Sequence, residues 1–129
     1  MQLKLMRVFV DDQDKALKFY TDVLGFVKKV EVKNGSYKWL TVVSPEEPDG
    51  TQLLLEANSN PAAKTFQQET FRQGTTATNF FVADLQKEHA RLKENGATFT
   101  TEPTKVPGAR FAVLDDTCGN LIQITQLEW

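Results

Sequence analysis

The chain repeats itself once, and the repeat restricts the fold more than any single motif does. Val10-Asp11-Asp12 closes an apolar run and opens a helix-like stretch, Lys15 to Tyr20, that halts at Leu24-Gly25-Phe26. Val82-Ala83-Asp84 does the same ahead of Leu85 to Leu92 and Asn95-Gly96-Ala97. Further along, the run Asp49 to Glu56 is matched by Cys118 to Thr125, across a shorter connection, so that Leu54 occupies the place of Gln123. Each half is therefore one supersecondary unit used twice.

Hydrophobic periodicity gives the content of that unit. Leu3, Leu5, Arg7 and Phe9 alternate with Lys4, Met6, Val8 and Val10, both sets largely apolar, which predicts a first strand covered on its two faces. Ala16, Phe19, Tyr20 and Val23 form the apolar stripe of a short helix, with Asp12 as its N-cap and Gly25 as its stop. Strands are then expected over 26–32 and 37–43, joined by an Asn34-Gly35 hairpin turn, and over 52–56 after a loop holding Pro45 and Pro48. The second copy repeats the pattern with strands over 78–82, 97–101, 110–114 and 121–125 and a helix over 85–94. Between the copies, Asn60 and Pro61 start a linking helix through Phe71 that ends near Gly74. The reading is an α+β fold of two tandem βαβββ modules in a single domain over 1–129, with module one at 1–58, the linking helix at 59–76 and module two at 77–129.

Composition narrows the function. The 129 residues are 40% hydrophobic and 25% charged, as in an ordinary globular domain with one core. Seventeen acids and 15 bases are mixed in short stretches such as Lys28-Lys29-Val30-Glu31, which argues against a nucleic-acid surface. No apolar stretch approaches a membrane span, and the first residues read as a strand and not as a leader, so a cytoplasmic protein without membrane contact is expected. The single cysteine, Cys118, cannot staple the fold and makes a poor zinc site; it reads as a turn residue.

Taken together, the duplicated modules, the stretch Val10 to Tyr20 with Leu24-Gly25-Phe26, and the closing Asp115-Asp-Thr-Cys-Gly-Asn-Leu-Ile-Gln-Ile124 resemble the vicinal oxygen chelate superfamily. That superfamily holds glyoxalase I, extradiol dioxygenases, and bleomycin and fosfomycin resistance proteins. The resemblance implies two modules curving a mixed sheet around one cleft, the glyoxalase/bleomycin resistance fold, and a homodimer. In its metal-binding members four His, Gln or Glu side chains on the cleft floor hold the ion. Carried over by spacing, the first-strand position, seven residues ahead of each VxD aspartate, becomes Leu5 and Ala77, and the last-strand position becomes Leu54 and Gln123. Only Gln123 has a donor atom. A catalytic divalent ion needs about three protein ligands from imidazole, thiolate or carboxylate, so the expectation is no metal and no other cofactor.

Strand parity, applied without the family, lists what should line the cleft. Arg7 shares a face with Leu5 and Phe9, Gln52 with Leu54 and Glu56, Asn79 with Phe81, and Thr125 with Gln123. Phe9 and Phe81 read more as core than as a platform for a ligand. Such an apolar surface with convergent polar groups suits a small organic ligand. Arg7 either takes a carboxylate or phosphate of that ligand or pairs with Glu56. Glu56 is the candidate catalytic residue: in an apolar flank of Leu5, Phe9, Leu54 and Phe81 it would serve as a general base, whereas as a solvated strand-end carboxylate it would do nothing. His89, the only histidine, lies four residues after Leu85 and three before Leu92, on the helix face turned away from the cleft. Phe66 and Phe71 on the linking helix suit a lid or a subunit contact. Two functions remain in view. One is a metal-free binder of a small molecule. The other is an enzyme of the same family, either a lactoylglutathione-lyase-type lyase or isomerase or an extradiol-type dioxygenase, with a divergent metal site or with Glu56 as base.

Overall fold

The computed structural model describes residues 1–128; Trp129 lies outside the described residues. The repeat is realised as two four-stranded mixed sheets and three helices. In the first module, β1 (Leu5–Val10) leads into α1 (Gln13–Lys18), which widens into a π-helical turn over Phe19–Val23 before β2 (Val27–Asn34), β3 (Tyr37–Val43) and β4 (Gln52–Ala57). The linking helix α2 spans Pro61–Arg72. The second module runs β5 (Thr78–Phe81), α3 (Leu85–Glu94), β6 (Thr98–Val106), β7 (Ala109–Asp115) and β8 (Leu121–Leu127). The two sheets have the same order, β1-β4-β3-β2 and β5-β8-β7-β6, with the first and last strand of each module paired in parallel.

The repeated VxD triplet is a capping device. Asp12 accepts from the Lys15 backbone N–H at 3.0 Å, and Asp84 accepts from that of Lys87 at 3.1 Å, each satisfying an orphan donor of the helix that follows its strand. Asn60 does the same for α2 through Ala62 at 2.9 Å, with Pro61 in the first turn. The stripe expected on the first helix is buried as a face, with Ala16, Phe19 and Tyr20 all in the core. Each side chain the size of leucine buried there contributes about 1.5–3 kcal/mol.

One boundary and one burial pattern differ from expectation. β6 does not stop at Thr101 but continues through Pro103 to Val106, because it is the edge of its sheet and a proline there leaves no ladder bond unmade; register shifts on both sides of Thr101 mark the irregularity. β1 is not covered on both faces within the chain. Val8 and Val10 are buried, while Leu3 and Leu5 on the alternate set are 98% and 43% exposed.

One hydrophobic cluster runs through both modules. It takes Val8 and Val10 from β1, Leu53 and Leu55 from β4, Ala112 and Leu114 from β7, Ile122 and Ile124 from β8, and residues of α1 and α3. The helix-bearing faces of the two sheets thus share a core, and Phe26 of one module packs edge-on against Phe80 of the other at 5.0 Å between ring centres. The opposite faces, which carry the cleft positions, point away from it.

Candidate functional site

On the open face of the first sheet the register is the one parity requires. Leu5 is paired with Gln52, Arg7 with Leu54, and Phe9 with Glu56. Leu54 is fully buried yet stands outside the shared core cluster, as does Thr41, its partner on β3. The Thr41 hydroxyl donates to Gln52 Oε1 at 2.8 Å, so Gln52 is tied down as part of the floor. Arg7 and Glu56 form an ion pair in which the carboxylate is the better shielded partner. Of the two roles open to Arg7, the structure shows the pairing. Beside the pair lies a cavity of about 340 Å³ lined by Arg7, Phe9, Gln13, Tyr37, Lys38 and Glu56, among others. Lys38 is likewise matched, to Asp14 at 2.7 Å and Glu31 at 3.8 Å. The hydrogen bond from Lys38, helped by its charge, holds the Asp14 carboxyl below the ordinary carboxylate range.

The open face of the second sheet carries the other half. Asn79 is paired with Gln123 and Phe81 with Thr125 across the β5–β8 ladder. Gln123 Nε2 donates to Thr125 Oγ1 at 3.1 Å, and that hydroxyl donates to Asn79 Oδ1 at 2.8 Å. Phe81 is 61% exposed and lines a crevice of about 590 Å³ between the modules, together with Phe26, Phe80, Glu46, Glu47 and Arg91. Neither cavity joins Arg7 and Glu56 to Asn79 and Gln123. The structure thus brings Arg7, Phe9, Gln52, Leu54 and Glu56 together on one sheet, and Asn79, Phe81, Gln123 and Thr125 on the other, without bringing the two groups together in one chain.

The chelating positions do not fit a divalent ion. Leu5, Leu54 and Ala77 have no donor atoms, and among the described residues no group of three or more His, Cys, Asp or Glu side chains is placed to hold a metal. Glu56, two residues beyond Leu54 and in register with Phe9, is engaged by Arg7, while Phe81, the member of its expected flank on the other module, lines a different cavity.

The remaining reactive side chains serve the structure. His89 lies on α3 against β6, its Nε2 2.5 Å from Glu102 and its ring 4.5 Å from that of Phe99, on the helix-covered side as its spacing indicated. The ring holds the Glu102 carboxyl below its usual range. Cys118 is a buried turn residue whose thiol burial pushes up to about 12, which removes it as a nucleophile near neutral pH.

A buried polar lock between the modules was not legible in the sequence. Asp116, fully buried in the β7–β8 turn, accepts from Tyr20 Oη at 2.7 Å, from the Cys118 and Asn120 backbone N–H groups at 2.7 and 2.9 Å, and from Asn120 Nδ2 at 2.8 Å. Gln67 Nε2 on α2 donates to the Phe9 and Cys118 carbonyls at 2.8 and 3.1 Å, while its Oε1 accepts from Asn58 at 2.7 Å. Asp116 and Asn120 do sit in the closing motif that carries the resemblance, but Gln67 looks like any polar residue on a helix. Phe66 beside it is 65% exposed and Phe71 is 37% exposed, so the linking helix turns its amide inward and its rings outward.

Comparison with known proteins agrees with the fold. The sequence profile described as Glyoxalase/Bleomycin resistance protein/Dioxygenase superfamily matches residues 2–124. YurT, an uncharacterized protein of Bacillus subtilis (strain 168), is 58% identical over 126 residues, covering 98% of this chain and 99% of its own. Among solved structures, UcmS2 superposes with a TM-score of 0.85 at 28% identity over 97% of both chains. TnmS3, an antibiotic binding protein from Streptomyces sp. CB03234, superposes with a TM-score of 0.79 at 25% identity over 99% of this chain and 97% of its own.

Proposed function

This chain belongs to the Glyoxalase/Bleomycin resistance protein/Dioxygenase superfamily, and from that membership we propose that it is a metal-free binder of a small organic molecule. The observation that carries the proposal is the chemistry of the four chelating positions, where Leu5, Leu54 and Ala77 offer carbon and Gln123 a neutral amide. One amide oxygen holds no divalent ion at useful affinity. The enzymatic alternative rests on Glu56, and a carboxylate clamped by Arg7 is better suited to orienting that guanidinium than to taking a proton. The likeness to TnmS3, described as an antibiotic binding protein, supports sequestration as the role.

The binder acts as a homodimer in the cytoplasm. β1 and β5 are the edges of their sheets, and the faces they border expose Leu3, Leu5 and Phe81. An unpaired edge beside exposed apolar side chains is a surface that calls for a partner. A second copy would set the first sheet of one chain against the second sheet of the other and so assemble the nine cleft residues that a single chain keeps apart. No helix among the described residues is long and apolar enough to cross a membrane.

The test is metal retention. Protein equilibrated with Zn, Ni, Mn or Fe(II) and then desalted is expected to carry far less than one ion per chain by elemental analysis. Stoichiometric retention of any of these ions overturns the metal-free reading.

A further inference from the structure

The second sheet holds a pair of amides whose orientation is already decided. Asn79 and Gln123 face each other across the parallel β5–β8 ladder, and the nine-tenths buried Thr125 hydroxyl bridges them. A hydroxyl donates one hydrogen, and Thr125 gives its own to Asn79 while accepting from Gln123. The relay therefore uses one of the two N–H groups of Gln123 and one of the two lone pairs of Asn79 Oδ1. Gln123 Oε1 and Asn79 Nδ2 are left with no hydrogen-bond partner among the described residues, an acceptor and a donor side by side. Phe81, in register with Thr125, lies alongside with most of its ring exposed.

Charge narrows the choice of ligand further. Arg7 is neutralised by Glu56 and Lys38 by Asp14, so neither cation of the first-sheet cavity is free to take an anion. An anion would also have to meet the lone pairs of Gln123 Oε1, and a quaternary cation would leave the Asn79 N–H unused.

We propose that the cleft selects an uncharged planar ligand whose edge sets an acceptor beside a donor, as a lactam or a primary carboxamide does. The ligand carbonyl accepts from Asn79 Nδ2, the ligand N–H donates to Gln123 Oε1, and the ring plane lies on Phe81. This rests on the ligand-binding reading above and adds to it the chemical class of the ligand.

Isothermal titration of the purified protein with 2-quinolinone, N-methyl-2-quinolinone and quinoline-2-carboxylate tests it. The free lactam is expected to bind at least tenfold more tightly than its N-methyl analogue, which keeps the carbonyl but caps the donor, and the carboxylate is expected to bind more weakly than the free lactam. Asn79→Ala should weaken both lactams by a similar factor and leave their ratio standing, whereas Gln123→Met should bring the ratio toward one. A merely structural role for either residue would not split affinity from selectivity in this way. Equal binding of the two lactams, or tightest binding of the carboxylate, overturns the amide-edge inference while leaving ligand binding intact. If none of the three probes binds, the amide-edge inference fails, whereas the ligand-binding reading fails only if a thermal-shift screen across small organic molecules also finds no ligand.

Discussion

Arg7 and Glu56 show how far a single residue's role depends on its neighbour. Each is a plausible functional group alone, and each spends its charge on the other. Because the pair is partly exposed, its contribution to stability is small, about 0–1 kcal/mol. Glu56→Gln is therefore expected to shift the chemical denaturation midpoint only slightly while changing the affinity of whatever the cleft binds; unchanged affinity in a ligand screen would remove Glu56 from the site. Gly119 is a sharper case. Its φ of +101° is a conformation side chains rarely adopt, and a Cβ there would lie 2.7 Å from Gln67 Nε2. Gly119→Ala should cost about 1–3 kcal/mol, read from urea unfolding, and a neutral result would mean that both the backbone at position 119 and Gln67 relax. Burial raises the Asp116 carboxyl above its ordinary value of 3.8, with the hydrogen bonds from Asn120, Tyr20 and the backbone working in the other direction. A carboxyl whose folded value is raised holds its proton better in the native state, so its contribution to stability is greatest below the unfolded value and falls as pH rises through the folded one. The stability of the wild type relative to Asp116→Asn should accordingly decline as pH climbs from about 4 upward; a difference that grows instead would mean that the hydrogen bonds outweigh burial.

At the scale of the element, the repeat is a rule about how a helix begins. Asp12 and Asp84 close their strands and cap their helices with the same bond, three residues ahead. Asp12→Ala and Asp84→Ala should each cost about 0.5–2 kcal/mol. Because the two caps serve different helices, the double variant is expected to lose about the sum of the two, as thermal or urea unfolding would show. A markedly smaller loss in the double variant would show that the helices share a common weak point. Alternation, capping and the turn glycines are local rules, which is why β3, α3 and the starts of β4 and α2 fall where the sequence puts them. β6 ran on because its place at the sheet edge, which no local rule contains, made Pro103 harmless.

For the whole molecule, the consequence of the fold is that the helix faces meet within the chain while the cleft faces do not. If two copies complete each other's cleft, Glu56→Gln and Gln123→Met damage opposite halves of it. A co-refolded mixture of the two variants should then recover wild-type ligand binding in a fraction of its clefts, where neither variant alone does. Failure to recover, with dimers demonstrated by sedimentation, would place both halves in the same chain. If the proposed homodimer forms, the melting temperature should rise with protein concentration, since assembly would stabilise the native state by mass action.

Read alone, the amino-acid order determined the two modules, which residues of β1, β4, β5 and β8 share a sheet face, and the absence of donors at Leu5, Leu54 and Ala77, because these follow from periodicities of two and of about three and a half residues and from side-chain chemistry. Only the tertiary structure decided that Arg7 closes on Glu56, that Gln67 and Asp116 lock the modules together, and that the two cleft halves stand on separate sheets. Those outcomes depend on which polar groups are left without water once the helices pack, and that is settled by contacts between residues far apart in the chain.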